Sequence, residues 1–95
     1  MTRKEWLAEG RKRFGEDQNN WKFKCPVCGH VASVQDYMDA GAPAGAIAFS
    51  CIGRWREGSR EAISGKGPGP CNYSGGGLFK LNPLEVEGGM YFEFA

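Results

Sequence analysis

The chain has 95 residues, 12 basic and 11 acidic, for a formal net charge of +1, which fits one domain and lacks the charge excess of a disordered chain. Leu, Ile, Val and Phe contribute 4, 3, 4 and 6 residues, 17 in all, so the core is thin and the four cysteines are the candidate source of extra stability. No apolar run approaches the ~18 residues needed to cross a bilayer, and residues 1–5 lead into no hydrophobic signal region, so a soluble, cytoplasmic protein without membrane contact is expected.

Thr2 followed by Glu5 has the form of a capping box, and Trp6, Gly10 and Phe14 recur at i, i+4, i+8, which predicts a helix from residue 3 to residue 13 or 14. Gly15 suits its end, and Arg11, Lys12 and Arg13 complement the dipole in its last turn. After a polar connector, Trp21-Lys22-Phe23-Lys24-Cys25 alternates with period two, predicting a strand with Trp21, Phe23 and Cys25 on one face. Ser33 with Asp36 opens a second short helix reaching about residue 40, with Val34, Tyr37 and Met38 as its apolar face. Residues 46–52 read as a second strand.

Residues 53–70 hold nine Gly, Ser or Pro in 18 positions and read as a mobile excursion. Extended structure resumes at residues 70–73 and again at 78–81 and 84–87, and a Gly88-Gly89 turn leads into residues 90–94 as a hairpin. That last segment is apolar on both faces, which suits intramolecular pairing first, and otherwise a partner's sheet edge or a homodimer.

Cys25-Pro26-Val27-Cys28-Gly29 presents two thiolates from one tight turn, the spacing that chelates Zn²⁺. Pro26 fixes its own φ, and Gly29 supplies the positive φ that turns backbone amides towards the sulfurs. Cys51 and Cys71 complete four ligands although 19 residues separate them, a spacing tolerable because loop-closure entropy grows only logarithmically with length. One structural Zn²⁺ is therefore expected, held by Cys25, Cys28, Cys51 and Cys71, with His30 as the reserve ligand. The alternative is that Cys51 and Cys71 are small buried apolar residues and Cys25 and Cys28 form a redox dithiol. The expected architecture is α+β, a small zinc-ribbon-like domain with short antiparallel strands and one or two short helices. The whole of residues 1–95 forms one unit, with the ribbon over residues 21–94 and an insertion at 53–70.

Trp21-Lys22-Phe23-Lys24-Cys25-Pro26-Val27-Cys28-Gly29-His30, Ala40-Gly41-Ala42-Pro43, Phe49-Ser50-Cys51-Ile52-Gly53-Arg54-Trp55 and Gly76-Gly77-Leu78-Phe79 resemble a family of small, largely uncharacterised zinc-ribbon-like proteins of bacteriophages and prophages. The resemblance covers roughly residues 6–86. It implies phage origin, metal binding and a location in the bacterial host's cytoplasm, and it brings no established activity.

Four thiolates saturate tetrahedral zinc and leave no position for water or substrate, so no enzyme is expected. A catalytic arrangement would need one cysteine to drop out and His30 to act with Asp36, Glu57 or Glu61, none at a recognisable motif spacing. Gly65-Lys66-Gly67-Pro68-Gly69-Pro70 ends in prolines and cannot open a phosphate-binding helix. Candidate partner-binding residues are Arg54, Trp55, Arg56, Arg60 and Lys66, where Trp55 between two arginines suits base stacking. Residues 1–24 add seven Lys or Arg against four Asp or Glu. Taken singly, these charges equally suit a solvated face, and Arg54 and Lys24 suit screening of an anionic metal centre. A zinc-stabilised, non-catalytic binding module for nucleic acid or for a host protein follows as the expectation.

Overall fold

Helix α1 begins where Thr2 caps it: Thr2 Oγ1 accepts from the Glu5 amide at 3.1 Å, and Glu5 Oε1 accepts from the Thr2 amide at 2.9 Å. It spans Arg3–Phe14 and ends at Gly15, whose φ of 92° suits glycine and whose amide bonds back to the Arg11 carbonyl. The structure is a computed structural model, and it describes residues 1–62, 69–77 and 80–95.

Gly10 is the buried residue of α1, and a Cβ there would collide with the Trp21 ring. The missing side chain lets α1 lie against β1 (Lys22–Lys24), where Trp6 stacks parallel to Phe23 at 6.0 Å and meets Trp21 edge-on at 5.5 Å. The Trp21 indole N–H is satisfied by the Gly15 carbonyl at 2.9 Å. Trp21, Phe23 and Cys25 are each buried while Lys22 and Lys24 face solvent, as the alternation requires.

β1 is the centre of a three-stranded antiparallel sheet, flanked by β2 (Val31–Ser33) and by the later strand β5 (Glu93–Phe94). Phe23 lies opposite both Ala32 and Phe94, so the aromatic face continues across the sheet. β2 was not expected from the sequence. It forms because the cysteine turn folds the chain back on β1, and Ser33 then caps helix α2 (Val34–Asp39) through a second capping box with Asp36. Tyr37 is the buried residue of α2 and donates its hydroxyl to the Ser50 carbonyl at 2.7 Å. Met38, expected on the apolar face, is 53% exposed. A helix of six residues turns only one narrow stripe inward, and Tyr37 occupies it.

Residues 46–52 are not a strand. A 3₁₀ turn at Ala44–Ala46 is followed by a tight reversal in which the amides of Phe49 and Ser50 both bond to the Ala46 carbonyl, with Ala48 at φ 60°. The buried carbonyl of Ala48 is satisfied by the Phe92 amide at 2.7 Å. Its residues are mostly apolar because the turn is buried, and alanine at 46 and 48 is a weak strand former.

The expected excursion at residues 53–70 is ordered at both described ends. Ile52–Trp55 is a 3₁₀ helix, and Arg60 forms a parallel bridge with Cys71, its amide bonded to the Pro70 carbonyl and its carbonyl to the Asn72 amide. The Asn72 side chain also accepts from the Ala62 amide at 2.8 Å. Residues 63–68 lie outside the described residues, and so do residues 78–79 of the strand expected at 78–81, whose described residues 80 and 81 are not in a strand. Residues 70–73 form no strand beyond that bridge, although the Tyr73 carbonyl accepts from the Cys51 amide.

The hairpin pairs β3 (Leu84–Val86) with β4 (Gly89–Tyr91), with Val86 opposite Gly89. Its two turn residues are therefore Glu87 and Gly88, one position earlier than expected. Both have positive φ, 48° and 88°, as the tightest hairpin turn demands. Glu87 also ties the hairpin to α1, its carboxylate accepting from the Arg3 amide at 2.8 Å and its own amide bonding to the Met1 carbonyl. The final segment bends at buried Phe92, so residues 90–91 pair with β3 and residues 93–94 with β1 inside the same chain. The result is a small α+β domain. No helix among the described residues is long and apolar enough to cross a membrane.

Candidate metal centre

Cys25 leaves the end of β1 with its amide bonded to the His30 carbonyl at 3.0 Å, and its own carbonyl accepts from the Gly29 amide at 2.9 Å. These bonds close the turn that carries Cys28, and Gly29 takes the positive φ, 77°, expected of it. Cys51 is aligned against the other half by its amide bond to the Tyr73 carbonyl at 2.9 Å. Cys71 is brought beside Cys51 because Gly53 has no side chain: a Cβ there would collide with the Cys71 carbonyl oxygen. The 19-residue gap in sequence is thus closed in space by a glycine contact and by the bridge between Arg60 and Cys71.

All four Sγ atoms lie within 4.8 Å of one another. Cys25 and Cys71 are 3.9 Å apart, and Cys28 and Cys51 are 3.8 Å apart. A tetrahedron of sulfurs around a metal at the usual zinc–thiolate bond length has edges of about 3.8 Å, so these separations fit one tetrahedral ion. A disulfide needs contact near ~2 Å, and all four cysteines are free. Among the described residues this is the one cluster of three or more such ligand groups, and it contains neither His30 nor an acidic residue.

Backbone amides face these sulfurs in a repeating way. The Val27 and Cys28 amides bond towards Cys25, the His30 amide towards Cys28 at 3.4 Å, those of Gly53 and Cys71 towards Cys51, and that of Tyr73 towards Cys71. Each cysteine therefore has the amide two residues on, the arrangement that offsets the negative charge of a four-thiolate centre. Sequence reasoning expected amides to turn towards the sulfurs in the Cys25–Gly29 turn and missed those of Gly53 and Tyr73. The available signal was a glycine two places after Cys51.

Without an ion the thiols share protons unequally. A hydrogen bond from Cys25 lowers Cys51 to about 5, the bond to Cys51 and then burial push Cys25 up, and burial pushes Cys71 up to about 11. One thiolate is thus already favoured, while the rest need a cation before they ionise together. Cys25, Cys51 and Cys71 are at most 1% exposed, and Cys28 is half-buried. The site is closed, with soft donors only, and it suits a thiophilic ion held for structure.

His30 is half-buried beside the turn, and its ring, with Arg56, is close enough to Asp36 to help hold that carboxyl down, after the larger effect of the Ser33 amide. Arg54 is exposed, donates to the Asn72 carbonyl at 3.4 Å and lies over the Trp55 ring at 5.8 Å. Trp55 is half-buried, Arg56 is exposed, and Arg60 is half-buried with its backbone in the bridge to Cys71. Arg54 and Trp55 thus begin four residues or fewer after a metal-site cysteine, on the same 3₁₀ turn that carries Gly53. Lys66 lies outside the described residues.

A family model described as VVA0879-like matches residues 2–95. No curated protein and no solved structure matches the chain.

Proposed function

This chain belongs to the VVA0879-like family, and we propose that it is a zinc-stabilised, non-catalytic binding module whose Arg54, Trp55 and Arg56 contact nucleic acid or a complex built on it. The observation that carries the metal part is the set of four free sulfurs within 4.8 Å of one another, two pairs of them at 3.8 and 3.9 Å, close to the edge of a tetrahedral zinc–thiolate site. Bound zinc would supply no reaction here. It would tie β1 and its turn to the two segments at Cys51 and Cys71, and four thiolates fill its coordination. The protein's residues then do the binding.

Support for the partner is the position of the arginines. The 3₁₀ turn Ile52–Trp55 starts at Cys51, one of the four clustered cysteines, so its side chains project from beside the candidate metal site. Arg54 and Arg56 are exposed there, and Arg54 lies over the Trp55 ring, which pre-orders a cationic, planar surface suited to phosphate and base contacts. Resemblance to phage and prophage proteins supports a phage-encoded protein acting in the bacterial cytoplasm. Arg60 belongs to the same reading, and Lys66 joins it from the sequence alone.

Fluorescence anisotropy with labelled single-stranded and duplex oligonucleotides, run across salt concentrations, tests it. Affinity should fall steeply with salt, and Arg54→Ala or Arg56→Ala should each weaken binding and lower the salt slope by about one. The zinc content should stay the same. No binding, or binding indifferent to salt, would reject the nucleic-acid partner and leave a host protein as the class to seek, with Trp55 as its anchor.

A further inference from the structure

The four sulfurs are chemically alike but differently placed. Cys25, Cys51 and Cys71 are 1%, 1% and 0% exposed, whereas Cys28 is half-buried and borders a surface concavity of about 430 Å³. Cys25 also lines the concavity but is only 1% exposed, and Lys24, Pro26, Pro83 and Glu93 stand among its other walls, so Cys28 is the more accessible of the two sulfurs there. Backbone support is also uneven: Cys25 and Cys51 each receive two amides, Cys28 and Cys71 one each, and of these last two only Cys28 is accessible. The sulfurs pair across the two halves of the fold: Cys28 with Cys51 at 3.8 Å and Cys25 with Cys71 at 3.9 Å.

We propose that Cys28 is the modification site of this metal centre, the sulfur at which small hydroperoxides and soft electrophiles attack, and that its oxidation closes onto Cys51 and ejects the metal. The inference rests on the zinc reading above. With hydrogen peroxide, the Cys28 sulfur attacks one oxygen, an S–O bond forms, the O–O bond breaks, and hydroxide leaves to be protonated by solvent. The Cys51 thiolate then attacks the Cys28 sulfur, an S–S bond forms, the S–O bond breaks, and a second hydroxide leaves. Two electrons from the two thiolates thus reduce one peroxide to two waters, and the ion loses two of its four ligands. A Cys28–Cys51 bridge still ties the turn after β1 to the second half, whereas a bridge between Cys25 and Cys28 would leave the halves untied.

The test uses the full chain, shown by native mass spectrometry to carry one zinc, in two arms. Limiting N-ethylmaleimide followed by peptide mapping should label Cys28 about tenfold faster than any other cysteine, following its accessibility. One equivalent of hydrogen peroxide should release zinc to a chromogenic chelator in step with a Cys28–Cys51 disulfide. Because Cys28→Ser would also disturb metal binding, Glu93→Trp provides the second variant. A bulky side chain on the wall of the concavity should slow labelling of Cys28 several-fold while zinc stays bound. Equal labelling of all four cysteines, a first disulfide between Cys25 and Cys28, or zinc retained under peroxide would overturn the proposal in zinc-loaded protein. Absence of zinc from the starting protein would instead overturn the metal reading and this one with it.

Discussion

Gly10 and Gly53 act through what they lack. In an exposed helix, replacing glycine by alanine normally stabilises by about 0.5–1 kcal/mol. At Gly10 the added Cβ would meet the Trp21 ring, and an overpacked core loses about 1–3 kcal/mol, so steric cost outweighs propensity. Gly10→Ala should lower the urea midpoint, and a rise would show that α1 can shift off the ring without loss. Gly53→Ala should act on the metal centre, because its Cβ would push the Cys71 carbonyl away. A competing chelator should strip zinc from that variant at lower concentration than from wild type. Sequence periodicity placed Gly10 on the inner face of α1, but not the ring that fills the space it leaves, because a contact between residues 10 and 21 depends on how α1 crosses β1. The four cysteines were legible from residue type and spacing. Their meeting was not, since it depends on Gly53 and on the bridge between Arg60 and Cys71.

Local chemistry decided the elements that were read correctly. Both capping boxes were visible as a hydroxyl residue followed three places later by an acid, and both formed. Ser33→Ala should cost about 1 kcal/mol through loss of the α2 cap, read as a lower unfolding midpoint with the zinc still bound. The partner carboxyl gives the same cap a pH dependence. The Ser33 amide holds Asp36 below its ordinary value near 3.8, helped by Arg56 and His30. Its stabilisation is therefore complete above that ordinary value and is lost as the pH falls through the lowered one. Asp36→Asn should flatten the acid limb of the stability curve by that contribution, and an unchanged limb would place the acid sensitivity elsewhere. Residues 46–52 misled because an apolar run marks burial and not conformation. The amides of Phe49 and Ser50 turn back on Ala46 instead of reaching a neighbouring strand. The hairpin turn shifted by one residue for a related reason, since Glu87 adopts a positive φ that the paired glycines were expected to supply.

At the scale of the whole molecule, one buried cluster contains Trp21, Phe23, Phe92 and Phe94 together with Cys25, Cys51 and Cys71. The candidate metal site is thus inside the core, where four thiolates together need a cation beside them. Zinc-finger sites contribute roughly 10–16 kcal/mol of apparent binding energy, comparable to the roughly 5–15 kcal/mol net stability of a domain. Removing the ion should therefore unfold this chain and not merely loosen it. In reductant, a strong chelator should abolish the near-ultraviolet circular dichroism of the packed tryptophans, and added zinc should restore it. Cys71→Ser should behave like the chelated protein even with zinc present, because Cys71 is wholly buried and its neighbour Cys25 would lose its partner at 3.9 Å. The residual structure should be α1 at most, since its capping box is local, whereas β1 depends on β2 and β5 and on the turn that carries Cys28. A wild-type chain that stays folded after complete metal removal would mean that the aromatic cluster alone suffices, and the sulfurs would then have to be read as a dispensable or redox-active group.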